Sequence, residues 1–561
     1  MKKLFIALLI SQACYAQVEY PQDYFRSPLD IQLVLSGTFG ELRSNHFHSG
    51  MDIKTQQTQG LRVYTAAHGY VSRIKISHYG YGKALYVTHP NGYTTVYAHL
   101  KRFNDKIEAY IKKRQYEKES FEIELFPKPS ELLVGADEII AFSGNTGGSA
   151  GPHLHFEIRD NQERPINPMY FGLTVKDTKP PSVLGVYAYP IGDSSHINQK
   201  SVKTELRLIP EGHGDFSVEK IDAYGEIGFG VISHDRQDMA SNKNGVSKLE
   251  SFYNGNRNFE MDFRRFSFDE TKHINRFIDF EVYKRNKKRI QKLFVEDNNP
   301  LSMYSNVDQR GIIKVEDSTS TIYKIRISDF NRNDSWITIP INGKPSDSIV
   351  TKLQPSEKHY LYAAQTNYLE GKNFSVSIPS NSLYEDTFIE FEEHNDTLFF
   401  HKDVIPMQKS FTINYNLNHY KSEDKSNLFI AKLYGYYQRM SYVRTTRKGD
   451  TLTARTKSLG NFVIGKDDTA PVIKPINFND GKWLSKYRYL KVKISDDLSG
   501  ISNYRATVNG EWILMEYDYK TGLLIHDFND NKISETKNNL KIIVTDNVGN
   551  SSTFEASFFR K

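Results

Sequence analysis

Residues 151–157, GPHLHFE, set two histidines one residue apart behind a glycine-rich loop. On a strand, the side-chain period of two sends His153 and His155 to one face and Leu154 to the other, so both imidazoles reach the same object. Neutral imidazole is a common zinc ligand, and a ring beside the ligating one can hold a water. The spacing alone decides little: 17 histidines in 561 residues give about 0.5 such pairs by chance, and His46 and His48 form a second. Partners come from the segment NHFHSGMDIK, which supplies His48 and, four residues on, Asp52. A catalytic zinc site takes three protein ligands and leaves one position for water. His48, Asp52 and His155 meet that count with two nitrogens and a carboxylate. His153 then remains as a general base, and His99 as a hydrogen-bond donor to an oxyanion.

The elements that must hold these residues read as short strands between Gly, Asn and Pro turns. Val63 to Ile76 is strand, turn and strand around Gly69. Ala84 to His89 and Tyr93 to His99 flank Pro90-Asn91-Gly92, a hairpin signal. Alternation in the second arm puts Tyr93, Thr95, Tyr97 and His99 on one face. Between Phe103 and Phe121, apolar residues at helical spacing predict one amphipathic helix capped by Asn104 or Asp105. Gly144 to Ser149 forms a loop whose glycines allow a close approach to a ligand. His68, His78 and His89 lie near turns and read as solvated, whereas His46 reads as lining a groove or supporting the ligands without binding.

Taken together, Phe39-Gly40 with Arg43, HFHSGMDI, YGYGKALYVTHPNGYTTVYAHL and SGNTGGSAGPHLHFEIRD resemble the lysostaphin/LytM-type zinc metallopeptidases that cut cell-wall peptides. The resemblance covers about residues 36–172. It implies an antiparallel β fold of duplicated hybrid motif type and one zinc ion on His48, Asp52 and His155. It also implies His153 and His99 as catalytic histidines and peptidoglycan as substrate. These roles agree with those reached from the chemistry of the residues. Some relatives have lost ligands and act as non-catalytic activators of a wall amidase, but every ligand position is filled here. The same chemistry on a glycine-rich extracellular protein also stays open to the family.

Residues 1–16 read as a secretory signal peptide: two lysines, the apolar run LFIALLI and a small-residue end. This predicts export to the periplasm, envelope or exterior. Cys14 is the sole cysteine, so cleavage after Ala16 leaves no disulfide; a lipidated Cys14 is the rival reading. No later run is long enough to span a membrane. The charge of +6, from 73 basic and 67 acidic residues, is far from the basic face of a nucleic-acid binder.

The expected organisation is a peptidase domain at 17–176 and three β units, at 177–344, 345–466 and 467–561. The first and last read as copies of one immunoglobulin-like sandwich. The junction Asp177-Thr178-Lys179-Pro180-Pro181 recurs as Asp468-Thr469-Ala470-Pro471, and KIRISDFNRNDS from Lys324 recurs as KIIVTDNVGNSS from Lys541. The tail reads first as a scaffold, with a wall or envelope partner as the alternative. Its basic cluster, Lys284-Arg285 and Lys287-Lys288-Arg289, reads as a solvated strand edge.

Overall fold

The computed structural model describes residues 20–346 and 359–561. The expected signal peptide, with Cys14, lies outside the described residues. Strands dominate throughout, as the turn-rich sequence predicts, and no helix among the described residues is long and apolar enough to cross a membrane.

Up to residue 159, eleven strands and one α-helix build the N-terminal region. They are β1 (Leu35–Gly37), β2 (Met51–Lys54), β3 (Arg62–Tyr64), β4 (Gly69–Ile76), β5 (Lys83–Thr88), β6 (Thr94–Ala98), β7 (Arg102–Phe103), α1 (Asp105–Lys118), β8 (Ile123–Leu125), β9 (Leu133–Val134), β10 (Ile139–Phe142) and β11 (His153–Arg159). A short strand, Pro165–Ile166, then pairs with β11. The main sheet runs β1-β2-β11-β6-β5-β4-β8, and β3-β10-β7 form a small second sheet. Every named pairing here is antiparallel.

Alternation along β11 divides its side chains as the sequence predicts. Leu154, Phe156 and Ile158 are fully buried in a core shared with Ile53 of β2 and Tyr97 of β6, while His153, His155 and Glu157 take the opposite face. Asp52 lies directly across from His155. In α1, Asn104 caps the first turn by accepting the Ile107 N–H at 2.9 Å, and Ile107 and Ile111 enter the core.

Beyond residue 176, the two sequence copies build the same local structure. Lys248–Tyr253 turns at Asn254-Gly255 and pairs with Ser320–Ser328; Ile501–Val508 turns at Asn509-Gly510 and pairs with Lys537–Asp546. All four turn residues are left-handed, the conformation that an Asn-Gly turn supplies at least strain. The junction register differs from the sequence reading by one residue. Asp177 accepts the backbone N–H of Lys179 and Asp467 that of Thr469, and the strands that follow start at Ser182 and Val472. Asp467, not Asp468, is therefore the counterpart of Asp177. The basic cluster is likewise not a strand edge: Lys284 and Arg285 sit in the last turn of a helix, Phe280–Asn286, where cations suit the helix dipole.

The tail folds back onto the N-terminal region from two sides. Phe39 and Phe47 leave their own sheet to join the core of the first copy, against Phe263, Phe266 and Phe277. From the far end, Leu514 enters the N-terminal core, Trp512 packs edge-on against Tyr116 of α1, and Lys83 pairs with Glu516 at 2.8 Å.

Candidate active site

Three acceptor atoms converge at the head of the sheet. His48 Nε2 lies 3.0 Å from Asp52 Oδ1 and 3.1 Å from His155 Nδ1, and His155 Nδ1 lies 2.9 Å from the same Asp52 oxygen. Each ring has committed its proton elsewhere: His48 Nδ1–H donates to Thr38 O at 2.7 Å and His155 Nε2–H to Glu157 Oε1 at 2.8 Å. Two lone pairs and a carboxylate oxygen thus face one another, a donor set suited to a metal cation. Asp52 is steadied from outside by Arg43, whose Nη2 donates to Oδ2 at 2.9 Å.

The electrostatics favour added positive charge at this point. Burial opposes a charged His155, but hydrogen bonds and charge from Asp52 and Glu157 outweigh it and raise its pKa to about 9, so without a cation a second proton takes up Nδ1, in the place a metal would fill. Burial would also raise Asp52, yet the positive charge that the surrounding imidazoles take up, that of His48 first, holds it well below the ordinary carboxylate range.

His153 and His99 stand beside the cluster with ring centroids 4.7 Å apart. His153 Nδ1–H donates to Gly151 O at 2.8 Å, leaving Nε2 as an acceptor 3.4 Å from Asp52 Oδ1. His99 reaches the site by a route that alternation does not predict. Counted from Tyr97, it would point into the core; a left-handed φ of 59° turns it to the other face instead. Its Nδ1–H donates to Thr146 O at 2.8 Å, and burial, helped by His155 and His153, lowers its pKa to about 3. The resting ring is therefore neutral and presents Nε2 as an acceptor.

Residues 46–116 match the sequence profile of peptidase family M23, and residues 358–467 that of the Zu5-like domain. The chain contains a peptidase family M23 domain. The DD-carboxypeptidase/endopeptidase Mpg of Neisseria meningitidis serogroup B is 30% identical to it over 164 residues, 29% of either chain. The peptidoglycan DD-endopeptidase ShyA of Vibrio cholerae is 28% identical over 189 residues, covering 33% of this chain and 37% of its own. The chain thus spans well under half the length of the curated relatives it matches. The catalytic domain of lysostaphin from Staphylococcus simulans is 23% identical, with 25% of this chain and 93% of that one covered and a TM-score of 0.19. The M23 profile match contains His48, Asp52 and His99 but stops inside α1; β11, pairing between β2 and β6, brings His153 and His155 to them.

Glu157 escaped the sequence reading, although its place two residues beyond His155 put it on the ligand face. It is fully buried, accepts from His155, Ser49 Oγ and Tyr81 OH at Oε1, and pairs with Arg159 at Oε2. Tyr81 had no such signal. Within the glycine loop, Gly148 lines the cleft while Gly147 packs inward. A Cβ on Gly147 would fall 2.3 Å from Gly82 N, so its close approach is to the backbone of residues 80–82 rather than to a ligand.

Of the remaining histidines, His46 is exposed and lines the cleft, and His68 is exposed. His89 is buried, not solvated, because Phe25 of the N-terminal segment covers it; its ring bonds His68 O and Thr95 Oγ1. His78 is covered by Phe121 and by Tyr517 of the last unit.

The M23 residues open into a cleft of about 1290 Å³, walled on one side by Gly148–Pro152 and on the other by Phe268, Thr271 and Arg289 of the first tail unit. Lys520, from the last unit, donates to the carbonyls of Asn145 and Ser149 behind the first wall.

Proposed function

We propose that the chain is an exported zinc endopeptidase that hydrolyses peptide bonds in the stem peptides or cross-bridges of peptidoglycan. The observation that carries this reading is the convergence of His48 Nε2, Asp52 Oδ1 and His155 Nδ1 beside two further histidines whose Nε2 atoms are free to accept. The substrate class rests on the peptidoglycan DD-endopeptidase and DD-carboxypeptidase/endopeptidase names of the relatives.

His48, Asp52 and His155 would hold the ion. Zinc bound there supplies Lewis acidity toward a carbonyl oxygen and lowers the pKa of water. His153, its Nδ1 tied to Gly151 O, takes a proton at Nε2 and returns it to the leaving amine. His99 begins as a second acceptor and donates to an oxyanion only after gaining a proton at Nε2, a change from the donor role read in the sequence. Glu157, Thr38 and Arg43 orient the ligands from behind or beside them.

The test is mass spectrometry of fragments released from purified peptidoglycan by the zinc-loaded chain, beside His153→Ala. Conversion of cross-linked to uncross-linked fragments by the wild type alone is expected. Release by both, or by neither despite bound zinc, defeats the proposal.

A further inference from the structure

A second kind of metal site is built twice, outside the M23 cluster. Asp177, Asp235 and Asp329 bring carboxylate oxygens within 4.8 Å of one another, and so do Asp467, Asp496 and Asp546. The two triads occupy equivalent places in the two copies. In each, the first aspartate is at the junction, the second directly follows the strand paired with the first strand of the copy, and the third lies at the end of a long strand, Asp546 as its last residue and Asp329 just past it. An asparagine four residues beyond the third aspartate locks both triads alike: Asn333 Nδ2 donates to Asp177 O and Asp329 Oδ2, and Asn550 Nδ2 to Asp467 O and Asp546 Oδ2.

Turn capping accounts for several of these carboxylate oxygens but leaves the same ones over in both copies. Asp235 Oδ1 and Asp496 Oδ1 are buried without a hydrogen-bond partner. Beside each lies a neutral oxygen in the same condition. Gln237, 3% exposed, has an unpartnered Oε1 and lines a cavity of about 20 Å³ with Asp177 and Asp235. Ser499, also 3% exposed, has an unpartnered Oγ, and its backbone N–H donates to Asp467 Oδ2. Among the described residues, none of the six aspartates forms an ion pair with a basic side chain. Lys179 Nζ approaches the first triad but bonds the carbonyls of Gln237 and Asp238 rather than a carboxylate, so three clustered carboxylates beside an idle neutral oxygen suit a bound cation.

We propose that each triad binds one calcium ion, with Gln237 and Ser499 completing the two sites. All donors are oxygens, which selects a hard cation. The irregular array suits calcium's flexible coordination better than the strict octahedron of magnesium. Each ion sits at a joint. Asn331 ties the first triad to the end of the M23 region through Val175 O and Asp177 O, and Asn427, which accepts from Asp467 N and donates to Asn550, ties the second to the Zu5-like unit. Calcium would therefore rigidify both connections, independently of zinc or of catalysis.

The test is calcium binding by the full chain after EGTA treatment, measured by equilibrium dialysis. Two ions per chain are expected for the wild type and for His48→Ala, one for Asp235→Asn or Asp496→Asn, and none for the double variant. Calcium should also raise the melting temperature of the wild type and not of the double variant. Asparagine is isosteric and relieves like-charge repulsion, so in EGTA the variants should melt no lower than the wild type. No binding by the wild type up to about 10 mM, tenfold above the weakest extracellular modules, or undiminished binding by the double variant, overturns the proposal.

Discussion

Replacing Glu157 with glutamine should weaken metal binding by about 10- to 100-fold, the usual effect of removing a carboxylate behind a ligating histidine. Glutamine keeps the shape and still accepts from His155 Nε2 at Oε1, so the ring orientation survives; the negative charge behind the ring does not. The same change sets an amide against Arg159 Nε, which now donates to Glu157 Oε2 at 2.6 Å. Arg159 is 4% exposed and keeps Glu163, on the surface, as its carboxylate partner beside the rings of Tyr86 and Phe268, so about 3 kcal/mol of stability should go with the lost pair. The assay is zinc competition against a chromophoric chelator, run with urea unfolding of the metal-free chain. A zinc affinity within twofold of wild type, alongside the stability loss, would mean that Glu157 serves Arg159 alone, and the argument that it tunes His155 would fail.

Phe47→Ala should cost about 3–5 kcal/mol in urea unfolding and loosen the segment carrying His48, since the ring is 1% exposed in the core of the first tail copy; a loss below about 1 kcal/mol would deny that anchoring. Glu516→Ala should cost about 1–3 kcal/mol, because Lys83 is 6% exposed in its side chain while Glu516 is 43% exposed. An unchanged melting temperature would show that the last unit is held by apolar contacts instead. Burial, against the bond to His68 O, lowers the His89 pKa to about 4, so between about 4 and 6.5 the unfolded chain binds more protons. That stability is complete above pH 6.5 and falls by about 3 kcal/mol as pH drops to 4. His89→Gln should flatten this limb of the urea–pH profile, and an identical slope would remove the assignment.

The legible part of the site was the part written in local periods. His153 and His155 share a face because a strand alternates, and Asn104 caps α1 because its side chain lies three residues before an orphan N–H. Glu157 was legible by the same rule and went unread. His99 was placed correctly at the strand end but its face was not, since one left-handed residue reverses the count. Arg289, Thr271 and Phe268 carry no local signal at all: they meet the cleft only because the first tail unit folds over it. The buried state of His89 was hidden for the same reason, its cover coming from Phe25, far along the chain.

The bond between Lys83 and Glu516 joins residues 433 apart, and Lys520 reaches back 375 residues to Asn145. Synthesis delivers the catalytic region before these two contacts, since a chain folds in the order in which its units emerge. The glycine loop next to His153 therefore waits for the unit that carries Lys520 before its outer support is in place. A chain truncated before that unit would carry all five site residues beside a loop backed from one side only. Folding of the β unit that carries Glu516 and Lys520, rather than folding of the peptidase domain alone, marks the moment at which the cleft reaches this shape.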